Sequence, residues 1–197
     1  MSLNTEPKLA PPGAGLPTAE LLVGRLLFAL RRMTSSRGQA HAHFQREREA
    51  IGALLQKCDA ESGAQRVLIA RPRGLEDSSR HWSVWMTLDH LRIVNLGIVR
   101  VIRALANGIV PDGQASTAAV KPNPGATATV AAEYESSCDA VLAAAAEPAS
   151  LDTSLRYAHP WFGPLNAAGW HVLAGGHMGI HRVQIERILA GLPPARA

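Results

Sequence analysis

The chain has 197 residues, a formal net charge of +4 and 47% hydrophobic residues, enough for one domain with a real core. Aromatic residues make up only 5% and alanine dominates the apolar fraction, a balance that favours helix over sheet. Two cysteines without a CxxC, no basic-then-apolar leader and no apolar run of ~20 residues argue against a disulfide framework, a signal peptide and a membrane-spanning helix.

A soluble protein of the reducing cytoplasm is therefore expected. The charge is uneven: residues 1–110 hold 15 Lys/Arg against 9 Asp/Glu, and residues 111–197 hold 5 against 7. The basic residues are scattered and no reader motif accompanies them, so nucleic acid is not the expected partner.

Residues 1–17, "MSLNTEPKLAPPGAGLP", have little to bury and read as a disordered or surface arm. The folded domain is expected over 18–192, with a short tail at 193–197. Thr18 offers a helix N-cap after Pro17. A helical stretch follows over 19–57, in which Leu26, Leu30, Met33, Phe44, Ile51 and Leu55 fall near one stripe. "TSSRG" at 34–38 is weak helix material, so either one helix bends there or two meet.

Residues 58–80 form a connector. Val67 to Ile69 has the character of a short extended piece, closed by Pro72 and Gly74. Asp77, Ser78 or Ser79 can cap the next helix, over 80–106. Its stripe is Val84, Leu88, Leu91, Val94, Ile98, Ile102 and Leu105, and Asn107-Gly108 supplies a left-handed stop. His90 sits at the edge of that stripe.

After a connection at 109–125, closing with "KPNPG", a helix is expected over 127–146. Tyr134, Cys138, Val141, Leu142 and Ala145 form its apolar face, and Pro148 ends it. An aromatic-bearing loop, "LDTSLRYAHPWFGPLN", leads to Asn166, the cap of a last helix over 167–190 that Gly191 and Pro193-Pro194 terminate. Long helices without alternating strands make an all-α four-helix bundle with an N-terminal extension.

The last helix carries the chemistry. His177 and His181 are one turn apart on the face shared by Trp170, Gln184 and Ile188. Gly175, Gly176 and Gly179 each weaken a helix by roughly 1 kcal/mol relative to Ala, which calls for a close neighbour or room for a ligand. A lone histidine on an apolar face is most simply a hydrogen-bonded core residue. Two at ligand spacing, with His90 on another helix's inner edge, are a pattern that suits a metal held between facing helices. No Glu follows His177, so this is not the HExxH of zinc proteases.

The other histidines carry weaker signals. His159 can support or cover the site, His171 falls at a helix flank, and His41 and His43 lie on opposite faces of the first helix. His81 has no distinctive setting. Asp89 points ~100° away from His90 on a helix, the place for a salt bridge rather than for catalysis. Trp82, Trp85, Trp161 and Trp170 read as core or pocket wall, and Cys58 and Cys138 as inert small hydrophobes.

"HWSVWMTLDHL" at 81–91 resembles the W-S-x-x-x-x-L-x-H-L segment of the DinB-like metalloprotein superfamily. "HPWFGPLNAAGWHVLAGGHMGIHRVQI" at 159–185 resembles that superfamily's last helix, H-P-x-F-G-x-L-x-x-x-x-W…H-x-x-x-H-x-x-Q. The resemblance implies a four-helix bundle in which His90, His177 and His181 bind a divalent metal. Zinc is the first expectation, with nickel, iron or copper as alternatives. His159, Trp161, Phe162, Trp170, Gln184 and Trp85 are the expected pocket or supporting residues.

Members of the superfamily include transferases acting with low-molecular-weight thiols such as bacillithiol, mycothiol-dependent isomerases and metal-dependent hydrolases. Relatives commonly form homodimers. A metal-dependent hydrolase or thiol transferase is therefore expected, with a small-molecule substrate or thiol and a homodimeric state. The alternative is a non-catalytic metal-binding or interaction protein on the same bundle. Three neutral imidazoles leave an open coordination position, as in catalytic zinc sites. No residue stands out as a general base. Arg66, Arg71, Arg73 and Arg80 of the connector offer charge for an anionic substrate.

Overall fold

The computed structural model describes residues 7–193. Of the expected arm and tail, residues 1–6 and 194–197 lie outside the described residues. Five helices carry the fold: α1 (Thr18–Thr34), α2 (Arg37–Leu55), α3 (Val84–Ala106), α4 (Val130–Ala146) and α5 (Ala167–Ala190). Two antiparallel hairpins complete it, β1 (Val67–Leu68) with β2 (His81–Trp82), and β3 (Tyr157–His159) with β4 (Gly163–Leu165). Helices α2 to α5 form the four-helix bundle. α3 packs most extensively on α4 and α5, α5 packs on α2, and α1 rests mainly against α5.

The stretch at 34–38 is a junction between two helices. Ser35 is extended, and Ser36 accepts from the Gln39 amide while the Gln39 side chain accepts from the Ser36 N–H. That reciprocal pair satisfies two donors that α2 would otherwise leave open, so a new helix begins there at little cost. The single stripe expected across 19–57 does not survive the break. Phe44 and Ile51 of α2 are fully buried, but α1 buries no residue at all, and Leu26 and Met33 are 61% and 79% exposed. Pro17, not Thr18, is the α1 cap residue, and it offers no side-chain acceptor.

The expected start of α3 also moves. Residues 77–79 form a 3-10 turn and His81–Trp82 a strand; Ser83 caps the helix by accepting from the Met86 amide. α4 likewise begins three residues later than expected, at Val130. Asn166 caps α5 through the Gly169 amide, with the bounds read from the sequence. Gly108, at φ +74°, stops α3 in the left-handed conformation. The core lies between α2, α3, α4 and α5, with Leu88, Leu91, Tyr134, Ile185 and Ile188 all fully buried. Cys58 and Cys138 are free thiols, and burial pushes the Cys138 thiol up to about 12, so it stays protonated and packs as an apolar group. Among the described residues, no helix is long and apolar enough to cross a membrane.

Residues 7–17 form no regular element. The Ala10 amide donates to Asp77 and the Gly13 amide to Glu76, so this segment lies along the 66–80 connector.

Candidate metal centre

His90 of α3 and His177 and His181 of α5 come together in the interior. One ring nitrogen from each lies within 4.8 Å of the others, an arrangement that could hold a metal ion. The ring centroids of His181 lie 4.5 Å from those of both His90 and His177. Among the described residues the group contains no carboxylate or thiol.

The hydrogen bonds decide the tautomers of two rings. His90 Nδ1 lies 2.6 Å from the Val120 carbonyl, which can only accept, so Nδ1 carries the proton and Nε2 presents a lone pair. Gln184 donates through Nε2 to the Ser79 carbonyl at 2.7 Å, leaving its Oε1 to accept from His181 Nδ1 at 2.6 Å. His181 Nε2 is thereby also a bare lone pair. His177 brings Nε2 to 3.1 Å from His90 Nε2, while its Nδ1 is buried without a partner.

Burial strongly disfavours the charged form of all three. It pushes His90 down to about 4 and His177 and His181 well below the ordinary histidine value, and the neighbouring imidazoles lower both of the latter further. Three neutral, inward-facing imidazoles, two with fixed tautomers, suit a divalent cation.

The supporting residues come from the connectors. Glu76 is buried and accepts from Lys121 Nζ at 2.9 Å and from Thr117 Oγ1 at 2.8 Å. Burial pushes its carboxyl up, but these bonds and the Lys121 charge outweigh that, and its pKa lies below the ordinary value. Asp89 accepts from the Asn123 amide at 2.8 Å and from Arg92, the salt-bridge role its helical direction suggested. Together these contacts fold the 117–123 segment against α3 and set the Val120 carbonyl on His90. Trp82 packs on the back of the site, parallel to the His181 ring and 5.2 Å from His90 between centroids, with Lys121 over its face. Glu76 and Lys121 had no signal in the sequence beyond their residue types, whereas Trp82 opens the W-S-x-x-x-x-L-x-H-L segment.

A cavity of about 870 Å³ runs from the three histidines between α1, α3, the 111–121 segment and the β3–β4 hairpin. His159, Trp161, Phe162 and Trp170 line it. His159 Nδ1 accepts from the Trp161 amide at 3.2 Å, and its ring stacks on Phe162. Gln184 supports the site from behind as described. Trp85 is elsewhere: it is buried, donates to the Ala60 carbonyl at 3.0 Å and packs over Gly63, so it belongs to the core.

The α5 glycines take both of the roles expected of them, and two other expectations are corrected. Of the three α5 glycines, only Gly176 faces the cavity. A Cβ at Gly175 would strike the His43 ring, and one at Gly179 would meet the Glu47 carboxylate, so both serve the close approach of α2. His171 is not on a flank but 1% exposed, with its ring 6.4 Å from that of His41. Of the four connector arginines, Arg71 is bound to Glu20 and the Leu75 carbonyl, and Arg80 to Asp77 and the Ile69 carbonyl, so these two are engaged within the fold.

A family model described as the DinB superfamily matches residues 43–185. The crystal structure of TT2238, a four-helix bundle protein, is similar with a TM-score of 0.55 and 21% sequence identity, covering 77% of this chain and 98% of that one. That likeness is one of fold. No curated protein matches the chain significantly.

Proposed function

The chain belongs to the DinB superfamily, and on that footing we propose that it is a metal-dependent enzyme of the hydrolase or thiol-transferase type, acting on a small molecule. His90, His177 and His181 would hold one divalent ion, zinc first among the candidates and nickel, iron or copper next, since all-nitrogen ligation suits each. The observation that carries the reading is the pair of fixed lone pairs, His90 Nε2 and His181 Nε2, facing a third imidazole at the end of a cavity of about 870 Å³. A purely structural ion is more often enclosed by four protein ligands. A bound metal would polarise a substrate carbonyl and lower the pKa of a water or thiol at its open position.

The remaining chemistry belongs to this chain's own side chains. Gln184 and the Val120 carbonyl orient the rings, and Trp82 packs against His181 and His90 from behind. Glu76 is ionised, lines the cavity and carries a proton acceptor close to the site, while its partner Lys121 balances its charge.

The test is metal analysis of the purified protein, followed by ester, amide and electrophile-plus-thiol panels on the metal-loaded form. Turnover lost in His181→Ala supports the reading, and dependence on added thiol separates transferase from hydrolase. Turnover that persists unchanged in His181→Ala refutes the metal mechanism. No turnover in any panel favours a metal-binding protein without catalysis.

A further inference from the structure

Three helices wall the cavity, and each contributes a glycine to it: Gly24 of α1, Gly97 of α3 and Gly176 of α5. Glycine weakens a helix interior relative to alanine, so a packing reason is usually found nearby. None exists here. A Cβ built at any of the three would have no heavy atom within 4 Å. All three positions widen the cavity instead.

Those charges around this space that are not exposed to solvent are already committed. Glu20 is bound to Arg71 and Glu76 to Lys121, while the cavity residues Arg73, Arg100 and Asp112 are exposed to solvent. Most of the remaining wall is apolar, with Val23 and Leu27 of α1, Ile98 and Val101 of α3, and Trp161 and Phe162 of the hairpin, while Gln114, Ser116 and Thr117 add polar groups on the 111–121 side. α1 lies outside the residues that the family model matches. It is fastened from outside, by Glu20 to Arg71 and the Gly74 amide, by Arg25 to the Trp161 carbonyl, and by Phe28 against Phe162.

We propose that the cavity takes an amphiphile with one metal-binding oxygen or sulfur head and an uncharged apolar body, the head at the three histidines and the body between α1 and α3. The proposal rests on the metal reading above and names its substrate class. A compact, many-charged thiol fits this space poorly, because no interior charge is left to meet it. A cavity of about 870 Å³ is large enough to enclose most of a drug-sized ligand.

Cobalt-loaded protein titrated with alkyl hydroxamates from acetyl to decanoyl, followed by cobalt absorbance, tests this. Affinity should rise about fourfold per methylene at full burial until the space is filled. Gly97→Leu should leave the cobalt spectrum and acetohydroxamate affinity within about twofold, yet weaken decanohydroxamate at least tenfold. Leu27→Glu, at a position 60% exposed and so tolerant of charge, should do the same and guards against misfolding of the first variant. A response to acetohydroxamate with no gain from chain length overturns this inference alone. So does long-chain binding unchanged in both folded variants. A spectrum silent to acetohydroxamate overturns the metal reading and this inference with it.

Discussion

His90 Nε2 and His177 Nε2 lie 3.1 Å apart although the Val120 carbonyl already holds the proton of His90 on Nδ1. In the metal-free protein His177 must then donate through Nε2 and bury a bare Nδ1, or turn a second lone pair on the first. A cation between the rings removes that conflict. Replacement of His90, His177 or His181 by Ala should bring bound metal to background and abolish the rise in melting temperature on metal addition. Gln184→Leu leaves all three rings but frees His181 to rotate, and should cost about 10–100-fold in metal affinity. Chelator competition measures both; full occupancy in His177→Ala/His181→Ala would sink the site, and wild-type affinity in Gln184→Leu would sink the orienting role.

Glu76 ties together three segments distant in sequence, through the Gly13 amide, its own connector and Lys121 with Thr117. Its folded pKa is below 4.5, so the stability it contributes is fully present above about pH 4.5 and is lost as pH falls through the lower, folded value. Glu76→Gln should cost about 2–3 kcal/mol at pH 7 by leaving Lys121 without its counter-charge. The gap from the wild type should close toward pH 3. Thermal unfolding across pH checks this; a gap that stays constant with pH would refute the charge argument.

His171 titrates in the other direction of charge. Burial, helped by the charges of His41 and Arg37, holds it down to about 4 against 6.5 in the unfolded chain. The unfolded state therefore takes up a proton first, and stability present above pH 6.5 is lost as pH falls toward 4, by up to about 1.4 kcal/mol per pH unit. His171→Leu also removes a buried Nε2 that has no partner, so at pH 7.5 it should be neutral or stabilising. Urea unfolding at pH 7.5 and 5.5 should show a smaller loss in the variant; an equal loss in both proteins would count against the assignment.

The three histidines were legible because their signal is local. His177 and His181 share a face of a helix whose ends Asn166 and Gly191 mark, and His90 sits at the edge of a regular stripe of α3. The break before α2 was also written locally, in the Ser36–Gln39 box. Other features depend on neighbours far along the chain. Lys121 meets Glu76 across 45 residues, and neither lies in a periodic segment. Gly175 and Gly179 left a close neighbour and a ligand both open, because spacing alone does not say that His43 and Glu47 of α2 lie against them. The apolar face of α1 looked like core for the same reason: periodicity marks a face that needs a cover without naming the cover.

That face carries the last prediction. Leu22, Leu26, Leu30 and Met33 recur at helical spacing, each is more than half exposed, and none of them lines the cavity that Val23 and Leu27 enclose. α1 thus presents two apolar sides, one toward the cavity and one toward solvent. Four large apolar residues left open on one helix form the kind of patch that soluble chains bury in an interface. We propose that a second copy of this chain covers it, α1 against α1 about a twofold axis, because such pairing is self-complementary and each Leu26 meets the same face of its partner. A standard interface buries about 800 Å² per partner, so the stripe would form its centre and neighbouring polar residues its rim. Light scattering at micromolar concentration should give twice the chain mass. Leu26→Glu should give the monomer mass with helix content and metal binding unchanged, since Leu26 touches neither core nor cavity. A wild-type monomer, or a Leu26→Glu dimer as tight as the wild type, would exclude this face, and the stripe would then need another partner.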